Sequence, residues 1–226
     1  MIRLSDEILK RLDPMEGGAI ADVGCGFGGT LKQISQSIGP ITLHALNIDK
    51  RQLQMARDNI QPILKSSQTC EFTLGDACNL PYEDESLDRI LAFESAFHFS
   101  SRKQFLEHSY RTLKPGGKLV LSDFAINLKR IHFFWPQLFY GKYLRQVYGN
   151  NPLPWTSQQY KILGRKLGFS QVICEDFTAN TFPTREIMKH FADKVEFTEA
   201  FDKANRLMEY FVKKGAIQYI VVTMIK

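Results

Sequence analysis

The sequence predicts an α/β fold: a doubly wound, mostly parallel sheet of seven strands with an antiparallel last strand. Three observations carry this expectation. Strand-length apolar runs alternate with segments of helical period through the first half of the chain, which implies repeated βα units and a sheet covered on both faces. A glycine-rich loop, DVGCGFGG, begins within the first apolar run and leads into a helical segment. The chain finishes on QYIVVTMI, a β-branched run that follows a long helical stretch. Sheets of this class often carry an antiparallel final strand.

The elements follow in order. Residues 1–11 (MIRLSDEILKR) read as a short amphipathic helix; they hold no apolar core of a secretory signal. Residues 19–23 (AIADV) form a buried strand, and residues 30–38 place Leu31, Ile34 and Ile38 at helical spacing. Residues 41–48 (ITLHALNI) make the second strand. Residues 50–64 carry Leu53, Ala56, Ile60 and Leu64 on one helical face, and Pro62 should disturb its end. Residues 71–74 and 87–93 (LDRILAF) supply strands three and four. Residues 102–113 form a helix stopped by Pro115-Gly116-Gly117, before a fifth strand at 118–124 (KLVLSDF). Thr156 caps a helix that runs to Leu167 and ends at Gly168. A sixth strand at 171–177, a helical stretch at 185–214 in one or two pieces, and a strand at 218–225 complete the chain.

The alternation breaks at residues 125–155. This stretch is rich in aromatics, including Phe133, Phe134, Trp135 and Tyr140, and holds Lys129, Arg130, Lys142 and Arg145 without one acid. It reads as a helical lid over an apolar ligand, inserted into a single domain spanning 1–226. A helix packed on the core is the plain alternative, and docking to a membrane surface is a third. Residues 180–215 form a second helical insertion before the last strand.

Composition narrows the function. With 44% apolar residues the chain can bury one sizeable core, and no run of about 18 apolar residues exists to cross a membrane. The net charge of +5 suits an acidic or phosphorylated acceptor, or peripheral contact with an anionic membrane. No dense Lys/Arg tract is present, so no nucleic-acid partner is expected. Cys25, Cys70, Cys78 and Cys174 form no CxxC pair. A zinc knuckle is therefore not expected, no metal is expected to be required, and reduced thiols in a cytoplasmic protein are the default.

Gly24, Gly26 and Gly29 satisfy GxGxxG, and Asp49 lies 20 residues past Gly29. Alone, these features also suit a nicotinamide-dependent oxidoreductase. Further segments point elsewhere. DVGCGFGG resembles the first motif of the class I S-adenosylmethionine-dependent methyltransferases. Gly75-Asp76-Ala77 with Leu80-Pro81, and Leu113-Lys114-Pro115-Gly116-Gly117, resemble two later segments of that family, in the right order across residues 19–124. The resemblance implies a Rossmann-like fold and S-adenosylmethionine as cofactor. It places Asp22, Gly24, Cys25 and Gly26 around the methionine portion, Asp76 at the adenine amino group and Ala77 against the ring. The family usually has an acid where Asn47 stands. Asn can still donate and accept, so Asn47, with Ile48 beside it and Gln52 after it, is assigned to the ribose end. Asp49 is the alternative ligand, its plain role being a helix N-cap.

Strand four ends in Phe93-Glu94-Ser95-Ala96-Phe97-His98, which resembles the ES-x-x-H segment of small-molecule methyltransferases acting on natural-product sugars, quinone precursors and terpenoids. The resemblance places Glu94, His98 and Asp123 beside the transferred methyl. His98 would accept the proton of an acceptor hydroxyl, Asp123 would orient the imidazole or bind substrate, and Glu94 would face cofactor or substrate. Their plain roles are a backbone contact, a strand-end cap and a loop brace respectively. The expected activity is methyl transfer to a small, partly apolar metabolite, oxygen preferred over carbon. An oxidoreductase and a non-catalytic cofactor-binding domain are the alternatives.

Overall fold

The structure, a computed structural model, describes residues 4–130, 154–181 and 199–226. Most of the expected lid (131–153) and the first part of the second insertion (182–198) lie outside the described residues.

The described chain runs α1 (Leu4–Leu12), β1 (Ala19–Val23), α2 (Gly29–Ser37), β2 (Ile41–Asn47), α3 (Lys50–Ile60), β3 (Gln68–Leu74), β4 (Leu87–Ala92), α4 (Arg102–Thr112), β5 (Leu113–Ile126), α5 (Ser157–Leu167), β6 (Gln171–Asp176), α6 (Glu199–Lys213) and β7 (Ile217–Ile225). Seven strands form one sheet in the order β3-β2-β1-β4-β5-β7-β6. The ladders β2–β3, β1–β2, β1–β4 and β4–β5 are parallel. β7 lies antiparallel between β5 and β6, with Phe124 opposite Tyr219.

The two-residue period of the strands builds two cores. On one face Ala21, Val23, Ile90, Leu119 and Leu121 pack with Phe105 and Leu106 of α4 and Tyr160 of α5. On the other face Ile20, Leu43, Ala45, Leu91 and Val120 meet Ile8 and Leu12 of α1, Leu31 and Ile34 of α2, and Ala56 and Ile60 of α3. α1 is also tied to the far edge of the sheet. Arg11 bonds Glu175 of β6 through Nε (2.6 Å) and Nη2 (2.9 Å), and lies 4.5 Å from the Phe177 ring centre.

Several boundaries shift from the sequence pattern, and two of the shifts have a clear polar or backbone reason. β3 begins at Gln68, three residues early, because this buried amide donates to the carbonyls of Ser35, Ile38 and Gly39 at 2.7–3.0 Å. A glutamine there looks like loop until its partners are known. Pro115-Gly116-Gly117 does not separate helix from strand but lies within β5, as an irregularity where the β4 register jumps from Leu113 to Lys118. Pro62 acts as expected: α3 passes into a single 3₁₀ turn, Gln61–Ile63.

The ends of the 125–155 insertion meet at the carboxyl edge of the sheet. Ala125 bridges Trp155, and the Ile126 amide donates to the Trp155 carbonyl at 3.0 Å. Thr156 then opens α5 with a full capping box, its side chain accepting from the Gln159 amide while Gln159 returns to the Thr156 amide. Thr156→Ala is expected to cost about 1 kcal/mol. Urea unfolding should show a lower midpoint with an unchanged slope.

Candidate functional site

The glycine loop leaves β1 as Asp22 and Val23 end the strand. The amides of Gly24 and Cys25 both donate to the Leu46 carbonyl of β2, at 2.8 and 3.1 Å, which turns the chain sharply. The glycines divide by what surrounds them. A Cβ on Gly24 would lie 2.5 Å from the Ser95 Cβ, and one on Gly28 would lie 2.9 Å from Ile60, so these two allow elements to touch. A Cβ on Gly26 or Gly29 would meet nothing within 4 Å. These two border open space, where backbone can approach a ligand. α2 starts here without a side-chain cap, so its first turn adds the positive end of a helix dipole.

That open space is a cleft of about 610 Å³, lined by Ser5, Gly26, Gly29, Thr30, Gln33 and Glu94 among others. A second concavity of about 490 Å³ is lined by Arg130, Asp176, Lys213 and Gln218, and holds none of the residues expected from the sequence. The glycine-loop cleft is the candidate site.

Asp22 sits below the loop, 1% exposed, and its carboxylate accepts the Thr30 hydroxyl. Burial pushes its pKa up to about 7, against the smaller pull of Thr30. Cys25 also lines the cleft; burial pushes its thiol well up, so it stays protonated.

At the end of β2 the structure joins the two residues assigned to the ribose. Asn47 Nδ2 donates to Gln52 Oε1 at 3.1 Å, and Asn47 Oδ1 accepts from the Asp49 amide at 3.1 Å. Asp49 takes the plain role. It caps α3 through the Arg51 amide (2.8 Å) and pairs with the Arg51 guanidinium, which together hold its carboxyl down to about 2. Ile48 is 74% exposed and Leu74 55%, an apolar pair at the ends of β2 and β3. Asp76 is exposed and receives the Cys78 amide on Oδ1 (2.8 Å), while Ala77 is buried.

Glu94 follows β4 and lines the cleft. Its backbone is left-handed (φ 55°), a conformation that costs a non-glycine residue roughly 1–2 kcal/mol. The surroundings hold it there: the Glu94 amide donates to Ser122 Oγ at 2.8 Å, and Glu94 Oε1 accepts the Tyr219 hydroxyl. Burial of the carboxyl pushes its pKa up, with Tyr219 and then Ser122 pulling the other way. His98 ends the short 3₁₀ turn Ala96–His98, its ring 4.5 Å from that of Phe97. Partial burial lowers its pKa and Asp123 opposes that shift, which leaves a neutral imidazole at pH 7.

Asp123, near the end of β5, acts on His98 by its charge but offers it no free oxygen. It is fully buried, and both oxygens are taken. Oδ2 receives Arg102 Nε (2.5 Å) and the Tyr160 hydroxyl; Oδ1 receives Arg102 Nη2 (3.0 Å) and the Phe124 amide (2.7 Å). A carboxylate with four donors has no oxygen left to orient an imidazole or bind substrate. The structure therefore gives Asp123 a bracing role. Arg102, Tyr160, Ser122 and Tyr219 escaped the sequence reading because their partners lie on other elements. No spacing rule joins Tyr219 to Glu94.

The Asp22 carboxyl holds a proton in the folded state that the unfolded chain releases near pH 4. Its stabilisation is therefore complete at acid pH and lost as pH rises through 7. Asp22→Asn keeps an acceptor for Thr30 without the charge. The variant should melt above the parent at pH 8, by a few kcal/mol at most, with the gap closing by pH 4.

Comparison with known proteins adds an independent line. Residues 21–121 match the family described as "Methyltransferase domain". Methyltransferase GfsG of Streptomyces halstedii is 36% identical over 124 residues, 55% of this chain and 44% of that protein. An O-methyltransferase of Pyrenophora dematioidea is 30% identical over 125 residues, 55% of this chain and 46% of its own length. Phosphoethanolamine N-methyltransferase 2 of Haemonchus contortus, solved with S-adenosyl-L-methionine, superposes with a TM-score of 0.75 at 19% identity, over 98% of this chain and 52% of that one. That last likeness speaks to the fold alone. The chain spans about half the length of the curated relatives it matches.

Proposed function

We propose that this chain is an S-adenosylmethionine-dependent enzyme that methylates a small, partly apolar acceptor, a reading supported by the match of residues 21–121 to the methyltransferase domain family. The observation that carries the reading is the pair of glycines, Gly26 and Gly29, facing open space in a cleft that Glu94 also lines.

The residues present fit the cofactor. Ribose hydroxyls both donate and accept, as the Asn47–Gln52 pair does. The exposed apolar surfaces of Ile48 and Leu74 suit a flat purine, and Asp76 is exposed to accept from its amino group. The glycine-loop amides suit the methionine carboxylate, and Glu94 suits its ammonium group. Asp22 and Cys25 support the loop from beneath, and Ala77 closes the floor near the ring. When bound, the cofactor supplies an electrophilic methyl group on a sulfonium sulfur. The chain's residues hold the reactants and move one proton: His98, neutral near pH 7, accepts the proton that an acceptor hydroxyl gives up.

The names of the curated relatives, O-methyltransferases among them, support oxygen over carbon as the acceptor atom. The dinucleotide alternative is weakened at Asp49, which it needs for a ribose hydroxyl and which here is spent on the α3 N-terminus and Arg51. Residues 125–155 are assigned as the lid, supported by the meeting of their two ends at the carboxyl edge of the sheet. No helix among the described residues is long and apolar enough to cross a membrane. The reading keeps a cytoplasmic location, supported by four free cysteines.

Titration calorimetry should show saturable binding of S-adenosylmethionine and none of NADH; the reverse pattern, or no binding at millimolar ligand, rejects the assignment. With a methyl acceptor in hand, His98→Ala should lower turnover by about 10²–10⁴-fold while leaving cofactor affinity unchanged. Full turnover by this variant removes His98 as the proton acceptor without touching the family assignment.

A further inference from the structure

Glu94 is held by residues from two strands that do not carry it. Ser122 of β5 receives its amide, and the Tyr219 hydroxyl of β7 donates to Oε1. Of the three described non-glycine residues with positive φ, it alone lines the glycine-loop cleft. Tyr219 is 2% exposed and falls outside residues 21–121, the segment shared with the family. Burial, and then the Glu94 charge, push the phenol far above its usual range, so it stays a donor at any working pH.

A carboxylate held in place on a cleft wall is an acceptor for a small cation. Resting on the methyltransferase reading, we propose that Tyr219 is the positioning residue that holds Glu94 as the acceptor for the ammonium group of the cofactor's amino-acid end. A donor on the carboxylate favours its ionised form, which is the form an ammonium group requires. Removing the phenol hydroxyl therefore lets the Glu94 pKa climb further, since burial already raises it. The carboxyl then takes up a proton at a higher pH than in the parent, so its hold on the ammonium weakens first on the acid side and recovers as pH rises. Among the described residues, the other titratable groups of this region are Lys32 of α2 and Cys25 of the glycine loop on the cleft wall, His98 on the turn after β4, Asp22 at the end of β1, and Asp123 of β5, whose charge Arg102 of α4 offsets. α1 contributes only Ser5 to the cleft.

The test measures dissociation constants for S-adenosylhomocysteine and for 5′-methylthioadenosine, which lacks the amino-acid end, at pH 6 and pH 8. Relative to the parent, Tyr219→Phe should weaken S-adenosylhomocysteine severalfold at pH 6 and much less at pH 8. Binding of 5′-methylthioadenosine should not change. Glu94→Gln, which leaves Tyr219 an oxygen to donate to, should be weak for S-adenosylhomocysteine at both pH values, and any pH effect that remains in it belongs to other groups, Asp22 and His98 among them. Parent-like affinity of either variant for S-adenosylhomocysteine at pH 6, or an equal loss for both ligands, overturns the role of Tyr219. A parent protein that binds neither ligand overturns the methyltransferase reading itself.

Discussion

In a sheet ordered β3-β2-β1-β4-β5-β7-β6, the chain leaves β1 and β4 toward opposite faces, and a crevice opens between the two departures. α2 packs on the face shared with α1 and α3, while α4 packs on the other. The glycine loop stands at this divergence because the first turn after β1 must reverse direction within hydrogen-bond reach of β2. A side chain at Gly24 would strike Ser95, so the two walls of the crevice meet only because that position is bare. The cleft, the Asn47–Gln52 pair and Glu94 all inherit their places from that reversal.

A second constraint is electrostatic. Asp123 ends up with no exposure at all, and a lone carboxylate there would cost several kcal/mol. Arg102 and Tyr160 resolve it together, although Arg102 Nη1 is left without a partner among the described residues. The network joins α4, β5 and α5, and so braces both the turn that carries His98 and the point where residues 125–155 rejoin the fold. The Asp123 carboxylate is fully occupied in holding these elements together. Glu94, whose carboxyl receives the Tyr219 hydroxyl, lines the glycine-loop cleft.

The legible part of the site consists of residues whose partners are near in sequence. Asn47 and Gln52 lie five apart, and Asp49 caps the helix that starts at the next residue. The glycines could be read because only they tolerate the backbone the loop adopts: φ is 79°, 54° and 84° at Gly24, Gly26 and Gly28. Gln68 was not legible as a strand residue, since its three carbonyl acceptors lie 29 to 33 positions earlier.

The amino-acid sequence alone determined the order and type of the elements, the antiparallel last strand and the position of the glycine loop. These follow from side-chain periodicity and local backbone stereochemistry, which act over a few residues. Only the tertiary structure decided which carboxylate faces the cleft and which is neutralised. Glu94 takes its donor from 125 residues away, and Asp123 takes its partners from 21 and 37 residues away. Burial and hydrogen bonding to distant elements set the ionisation of a side chain, and neither exists until the sheet has closed.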